Sequence, residues 1–329
     1  MVRAKQEPVK NRLVSAEVAL ALRKLSAVLR DFGPQGASPR RLAELLELPP
    51  GSLEEVLQLA EERAVAVGLP NGRWVLPDQA GFVAGVVRTT AKGFGVVRPV
   101  KGQGDEVVVP PESLKNAMDG DLVLVKRRSK RVRGRWVADR FGEVVKVLRR
   151  ARQTIVGRFF PDPVQPWVDP YARKLHMKVL VETPNFPVRE GEFVEVVVTE
   201  YGETGPLSGR VLRTLGQAGE PGVDEEVVLS ELGIPVEFPP EALEEAERLP
   251  DAVREQDLAG RRDLRHQPAV TIDGETAKDF DDAVVAFPGP GDAVEVFVHI
   301  ADVSHYVTPY SALDLAARER GTSVYLPGR

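Results

Sequence analysis

Apolar residues fall at helical spacing over residues 13–29, where Val18, Leu22, Leu25 and Leu29 share one face, and FGPQGASP then breaks the pattern. The spacing predicts an amphipathic helix. Ser38 and Pro39 supply a cap and first turn for RRLAELLEL. PPGS then leads into a third helix through LEEVLQLAEERAV, with Ser52 and Glu55 placed as a capping box. AVAVGLPNGRWVLPD reads as a small hairpin turned at Asn71 and Gly72. Three helices and a hairpin predict a winged helix-turn-helix over residues 1–78.

From Gly81 the pattern changes to short β-rich runs separated by turn residues: FVAGVVRTT, GFGVVRPV, DEVVVPP, DGDLVLVKRR and WVADRFGEVVKVL. Their number and spacing predict a five-stranded barrel of the OB type over 79–150. TIVGRFF, WVDP, KVLVETP, GEFVEVVVTEY and SGRVLRTLG repeat the pattern over 151–216, so an internal repeat of the barrel is expected. Residues 217–262 are acidic, Pro-punctuated and helical in texture, as a connector would be. Strands return after Arg265 in PAVTID, DDAVVAF and DAVEVFVHIADVSHYV, followed by a helix in SALDLAARERG and a last strand in TSVYLPGR. The expected fold class is multidomain α+β.

Composition narrows what such a chain can do. At 329 residues it exceeds one ordinary core, and no apolar run is long enough to span a bilayer. The basic opening MVRAKQEPVKNR is not followed by an apolar segment or small-residue cleavage site, which points to the cytoplasm. Cysteine is absent, which excludes disulfides, thiolate metal sites and cysteine nucleophiles, and the four histidines leave oxygen ligands as the main chemistry. The net charge of −5 argues against nucleic acid only until its distribution is considered. Residues 126–152 hold twelve basic and two acidic side chains, whereas 220–257 is strongly acidic.

The densest chemistry lies in TIDGETAKDFDDAV, residues 271–284. Asp273, Asp279, Asp281 and Asp282 crowd together with Glu275 and only Lys278 opposing them, an arrangement that is costly unless solvent or a cation relieves it. A solvated acidic turn is the plain alternative. The β-branched VTID before the cluster and the apolar AVVAF after it instead put the carboxylates at strand ends. An oxygen-only donor set suits Mg²⁺ or Mn²⁺, and so metal-assisted phosphoryl transfer.

With VHIADVSHYV and ARERGTSVYLPGR following in order, the segment resembles the opening of the catalytic (RNB) domain of the ribonuclease II and ribonuclease R family of 3′-to-5′ exoribonucleases. The winged helix ahead of two cold-shock-type barrels places the resemblance nearer ribonuclease R. On this resemblance, 263–329 is the truncated beginning of a catalytic domain. It implies Mg²⁺ at Asp273, Asp279 and Asp282, a catalytic role for Asp281, and stacking of Tyr325 on RNA near its 3′ end. The implied reaction is hydrolytic release of nucleoside 5′-monophosphates by a monomer acting on single-stranded 3′ ends or structured RNA. The family's further catalytic groups lie beyond this stretch, so the 329-residue chain itself is expected to be inactive, and residues 263–329 to be poorly packed. The alternative function is a non-catalytic single-stranded-RNA-binding module.

RNA contacts are expected in the first barrel. KGFGVV resembles the base-stacking strand of cold-shock barrels, with Phe94 either the exposed ring or a core residue, beside Lys92. Lys126, Arg127, Arg128, Lys130 and Arg131 begin a basic tail that either draws in phosphates or is merely a solvated face. His299 and His305 are expected to be structural or near the site, and His176 and His266 carry no signal. The helix-turn-helix suits DNA poorly, since RRLAELLEL offers only Arg40 and Arg41 and the next helix is acidic.

Overall fold

The computed structural model of the chain describes all residues except 1–15, 101–103, 133–134, 173, 176, 203–204, 276, 278–279 and 327–329. It divides into two compact units, residues 1–233 and 234–329. Among the described residues, no helix is long and apolar enough to cross a membrane.

The first unit opens with helices α1 (Ala16–Phe32), α2 (Pro39–Leu46) and α3 (Pro50–Glu62), then a hairpin of β1 (Val67–Gly68) and β2 (Trp74–Val75). Val18, Leu22, Leu25 and Leu29 enter one core with Leu42, Leu46 and Val56, as their helical spacing requires. Ser38 caps α2 by accepting from the Arg41 amide at 3.3 Å. The capping box expected at Ser52 and Glu55 does not form. Pro50 occupies the first turn of α3 behind an extended Pro49, so the helix begins three residues earlier and Ser52 lies inside it. The hairpin turns where Gly72 takes a positive φ of 77° and Asn71 Oδ1 accepts from the Arg73 amide at 3.1 Å. This is the winged helix-turn-helix.

Two closed barrels follow. The first comprises β3 (Phe82–Thr89), β4 (Gly95–Pro99), β5 (Val107–Val109), β6 (Leu122–Val132) and β7 (Arg135–Arg149), in the order β3-β4-β5-β7-β6. The second comprises β8 (Thr154–Phe160), β9 (Trp167–Pro170), β10 (Val179–Val181), β11 (Phe193–Glu200) and β12 (Leu207–Gly216), closed as β8-β9-β10-β12-β11. In both, the third and fifth strands pair parallel and all other pairs are antiparallel. The repeat extends to single residues: Gly85 faces Pro99 in the first barrel, and Gly157 faces Pro170 in the second. A Cβ on Gly85 would come within 2.4 Å of the Arg98 carbonyl oxygen, and one on Gly157 within 2.3 Å of that of Asp169. The same close crossing of first and second strands therefore demands glycine in each.

Strand β6 explains its own sequence. Val123 and Val125 point into the barrel core, while Leu122 and Leu124 lie under Ala64, Val67 and Val75 of the winged helix, so LVLV is apolar on both faces. Beyond Val125 the strand leaves this cover and turns basic. The expected basic tail is thus no tail: β6 and β7 continue as a paired ribbon, with Ser129 opposite Ala138 and Val132 opposite Arg135.

The barrels are joined by buried polar contacts. Asp121 accepts from the Met118 amide at 2.9 Å, the Ala151 amide at 2.8 Å and Arg150 Nη1 at 2.8 Å. Met118 itself packs into the core of the second barrel with Ile155, Phe159 and Val168. Helix α4 (Val223–Leu232) closes this unit by packing Val223 and Val227 on Val156, Phe193 and Leu215.

In the second unit, α5 (Pro240–Glu247) and α6 (Glu255–Leu258) precede a hairpin of β13 (Asp282–Pro288) and β14 (Val294–Ile300), then α7 (Ala312–Arg320). Two expected strands are absent. PAVTID makes a single bridge, Val270 to Val284, and residues 322–326 of TSVYLPGR form no strand, because a strand needs a hydrogen-bonded neighbour and the described residues of this unit supply none. Ile272, Val294, Val296, Val298 and Ile300 of this unit are all exposed.

Candidate functional site

The acidic segment is a loop fixed at its base. Val270 and Val284 exchange amide and carbonyl hydrogen bonds at 2.9 Å, and the Asp281 carbonyl accepts from the Ala301 amide at 2.8 Å. Asp282 is the first residue of β13 and faces Ile300 at the end of β14. Asp281 and Asp282 therefore stand at the open end of the hairpin with Asp302 just past the partner strand, while Asp273 lies on the loop that enters it. Asp273, Asp281 and Asp282 are exposed. Asp279 lies outside the described residues. Among the described residues no three carboxylates or imidazoles come together as a metal-ligand set.

The neighbouring polar groups are held by one another. Arg261 Nη2 donates to Asp302 Oδ2 at 2.7 Å and the Ser304 hydroxyl donates to Oδ1 at 2.9 Å, and Arg261 chiefly holds this carboxyl below its ordinary range. His305 Nε2 lies 3.2 Å from Oδ1 of Asp257, whose buried carboxylate also meets Arg254 at 3.0 Å. Hydrogen bonds from the Arg254 side chain and amide, then from His305, push the Asp257 carboxyl far down. His305 is thus a structural residue near the site. His299 lies on β14 opposite Ala283. Tyr325 is exposed and follows α7 in a segment without regular structure.

In the first barrel Phe94 sits in the turn before β4, its amide donating to the Thr90 hydroxyl at 3.2 Å, and its ring is exposed with the neighbouring Lys92. Lys126 and Arg128 are exposed on β6. Arg128 reaches the Ser113 hydroxyl at 2.9 Å, and Arg127 donates to the Asp105 carbonyl. The side chains of Lys130 and Arg131 lie outside the described set.

One aromatic group escaped the sequence reading. Phe160 and Trp167, a register pair of β8 and β9, stack with ring centroids 4.4 Å apart and planes 13° from parallel. Lys178 Nζ lies 3.5 Å from the Trp167 ring centre. The signal was parity: both rings alternate with core residues, Phe159 and Val168, and so must face outward.

Three known domain families match successive stretches of the chain. The Ribonuclease B OB domain matches residues 85–141, the Cold shock domain 167–239 and the RNB domain 261–329. Ribonuclease R of Vibrio parahaemolyticus is 36% identical over 260 residues, covering 78% of this chain and 31% of the relative. Ribonuclease R of Acidithiobacillus ferrooxidans is 35% identical over 295 residues, covering 87% and 65%. The apo structure of Mycoplasma genitalium RNase R aligns with a TM-score of 0.64 at 26% identity, over 75% of this chain and 39% of that one. It has also been solved in complex with ribose methylated single-stranded RNA. The chain thus spans about a third to two thirds of the length of these relatives.

Proposed function

We propose that the chain, matched by the RNB domain and similar to ribonuclease R relatives, is the N-terminal portion of a 3′-to-5′ hydrolytic exoribonuclease of the ribonuclease II and ribonuclease R family, releasing nucleoside 5′-monophosphates from RNA. The observation that carries the reading is the order of parts along the chain: two barrels of one topology, a helical connector, and then an acidic loop anchored on a hairpin, within residues matched by the RNB domain. Such barrels suit a single strand of RNA, and the basic ribbon of the first adds attraction for phosphates whatever the sequence.

Asp273, Asp279 and Asp282 are the proposed holders of Mg²⁺ and Asp281 the proposed catalytic carboxylate. Support for the metal is the oxygen-only donor chemistry of the loop, and a bound Mg²⁺ would supply charge stabilisation at the cleaved phosphodiester. Tyr325 is proposed to stack on RNA near its 3′ end. The proposed setting is the cytoplasm, with the protein acting as a monomer.

The test uses a 5′-labelled RNA with a 3′ tail, in Mg²⁺. The 329-residue chain should bind this RNA and leave its length unchanged. A chimera in which the chain replaces the matching segment of a ribonuclease R relative should shorten it from the 3′ end to 5′-monophosphates, and Asp281→Asn should abolish that shortening. Internal cleavage, or 3′-monophosphate products, would refute the reading.

A further inference from the structure

We propose that Arg261, with Asp257 behind it, is a positioning residue for Asp281: it clamps the turn at the end of β14 to the helical connector and so fixes the backbone on which the acidic loop closes. The proposal rests on the RNA-degrading reading for the role of Asp281.

The loop has two anchors, and they differ in what supports them. Val270 and Val284 form its base by exchanging backbone hydrogen bonds beside the hairpin. The other anchor is the Ala301 amide, which donates to the Asp281 carbonyl at 2.8 Å. Asp282, the next residue, pairs with Ile300, so Asp281 and Asp282 take their places from Ile300 and Ala301. Ala301 lies just past the end of β14, before the short turn Val303–His305. A two-stranded hairpin is marginal by itself, and an amide beyond its last rung frays unless the segment that carries it is held.

The connector supplies that hold at two points of the turn. Arg261 Nη2 donates to Asp302 Oδ2 at 2.7 Å, one residue after Ala301, while its Nε donates to the Asp257 carbonyl at 2.9 Å. Asp257 Oδ1 in turn lies 3.2 Å from His305 Nε2. Asp302 and His305 are thus tied to one stretch, residues 257–261, the first through Arg261 and the second through Asp257. That stretch has its own anchor. Asp257 is buried and accepts from the Arg254 amide at 2.9 Å and from the Arg254 Nε and Nη2 at 3.0 Å, which closes the first turn of α6.

The clamp needs arginine at 261. Its two donors reach acceptors on different segments, a carbonyl of α6 and a carboxylate past β14, and the planar guanidinium holds both at a fixed separation. A lysine is a single charge on a flexible stem, which keeps the attraction for Asp302 and gives up the tie to the carbonyl. Arg261 and Asp302 are each 45% exposed, and ion pairs so exposed add little to stability. Their effect is therefore on geometry, where small displacements matter most for a reacting group. Arg261 and the Ser304 hydroxyl between them occupy both oxygens of Asp302, which sets this carboxylate apart from those of the loop.

The experiment has two arms. In the 329-residue chain, amide-resolved hydrogen exchange should find Ala301 exchanging about fivefold faster in Arg261→Gln, the scale of one lost hydrogen bond, with Val284 and both barrels unchanged. In the chimera with a ribonuclease R relative, Arg261→Gln and Asp302→Asn should each lower kcat on a 3′-tailed RNA by about ten- to a hundredfold at unchanged KM. Together they should cost no more than either alone, because they remove one contact. Arg261→Lys should recover part of the loss. Faster exchange throughout the second unit with a raised KM would make Arg261 a structural residue only, and additive losses would deny that the pair acts as one; either result overturns the proposal. Unchanged kcat beside a loosened Ala301 amide would overturn it too, and leave the exoribonuclease reading standing. A higher Mg²⁺ requirement in Asp302→Asn alone would make that carboxylate a metal ligand instead of part of the clamp. A parent chimera that leaves RNA intact would overturn the RNA-degrading reading and this assignment with it.

Discussion

Asp121 and Arg150 meet at 2.8 Å in the joint between the two barrels, the carboxylate wholly buried and the guanidinium 3.8 Å from the centre of the Tyr201 ring. The same Arg150 donates to the Asn116 carbonyl at 2.7 Å, so one cation ties the end of the first barrel to a side chain of the second. Asp121→Ala leaves Arg150 and two amides without their acceptor. Removing one partner of a buried pair costs about 3–5 kcal/mol. Urea unfolding of the variant should show that drop in stability, and proteolysis should find its first new cuts near residues 150–153.

Two buried carboxylates, Asp121 and Asp257, should respond to acid in opposite directions. Burial pushes the Asp121 carboxyl above its ordinary value of 3.8, so the proton-linked part of its effect on stability favours the fold fully below that pH and is lost as the pH rises through the raised value, while the hydrogen bonds it accepts from Arg150 and the two amides remain. Asp257 is the reverse. Its Arg254 hydrogen bonds lower it, so its contribution is present above 3.8 and fades as the pH falls further. Hydrogen exchange should therefore find residues 254–261 and 302–306 loosening first below about pH 4, and Asp257→Asn should loosen them at neutral pH as well. Uniform loosening of both units with acid would count against this assignment.

Lys126 and Arg128 are exposed on β6, where the strand has left the cover of the winged helix. If they meet phosphates, the double variant Lys126→Gln, Arg128→Gln should bind every RNA sequence less well and flatten the salt dependence of binding. The slope of log affinity against log salt should fall by roughly 1.4, about 0.7 for each phosphate of a single strand that is no longer neutralised. An unchanged slope would make the ribbon a solvated face.

Much of this architecture was legible because alternation and helical spacing report burial directly. The winged helix followed from Val18, Leu22, Leu25 and Leu29, and both barrels followed from their five β-rich runs. What failed had physical causes. Ser52 and Glu55 satisfy a capping pattern, but Pro50 fixes an earlier start. PAVTID and TSVYLPGR have the composition of strands, yet composition names no partner for their amides. Asp121 reads as a turn residue in MDGD, and nothing local tells that Arg150 will meet it across the joint. Phe94 stands out because KGFGVV resembles the base-stacking strand of cold-shock barrels. Phe160 and Trp167, separated by PDPVQP, become a pair only once the hairpin register is known.

The outer face of β14 is an exposed apolar surface in the second unit. Val294, Val296, Val298 and Ile300 alternate along one side of the strand, and each is more than half exposed, from 59% at Val298 to 69% at Ile300. The strand pairs only with β13, so its other edge also presents free backbone groups among the described residues. An apolar stripe beside an unpaired edge is a template for association with a second copy. Val296→Glu with Val298→Lys places charges on that stripe without touching Val285, the buried residue of the hairpin. The variant 329-residue chain should stay monomeric at concentrations where the parent associates, as light scattering would measure. Its affinity for single-stranded RNA should be unchanged, because the proposed binding groups lie on the two barrels. A variant that associates as readily as the parent would move the sticky surface elsewhere, with the exposed Ile272 and Phe280 of the acidic loop the next residues to charge.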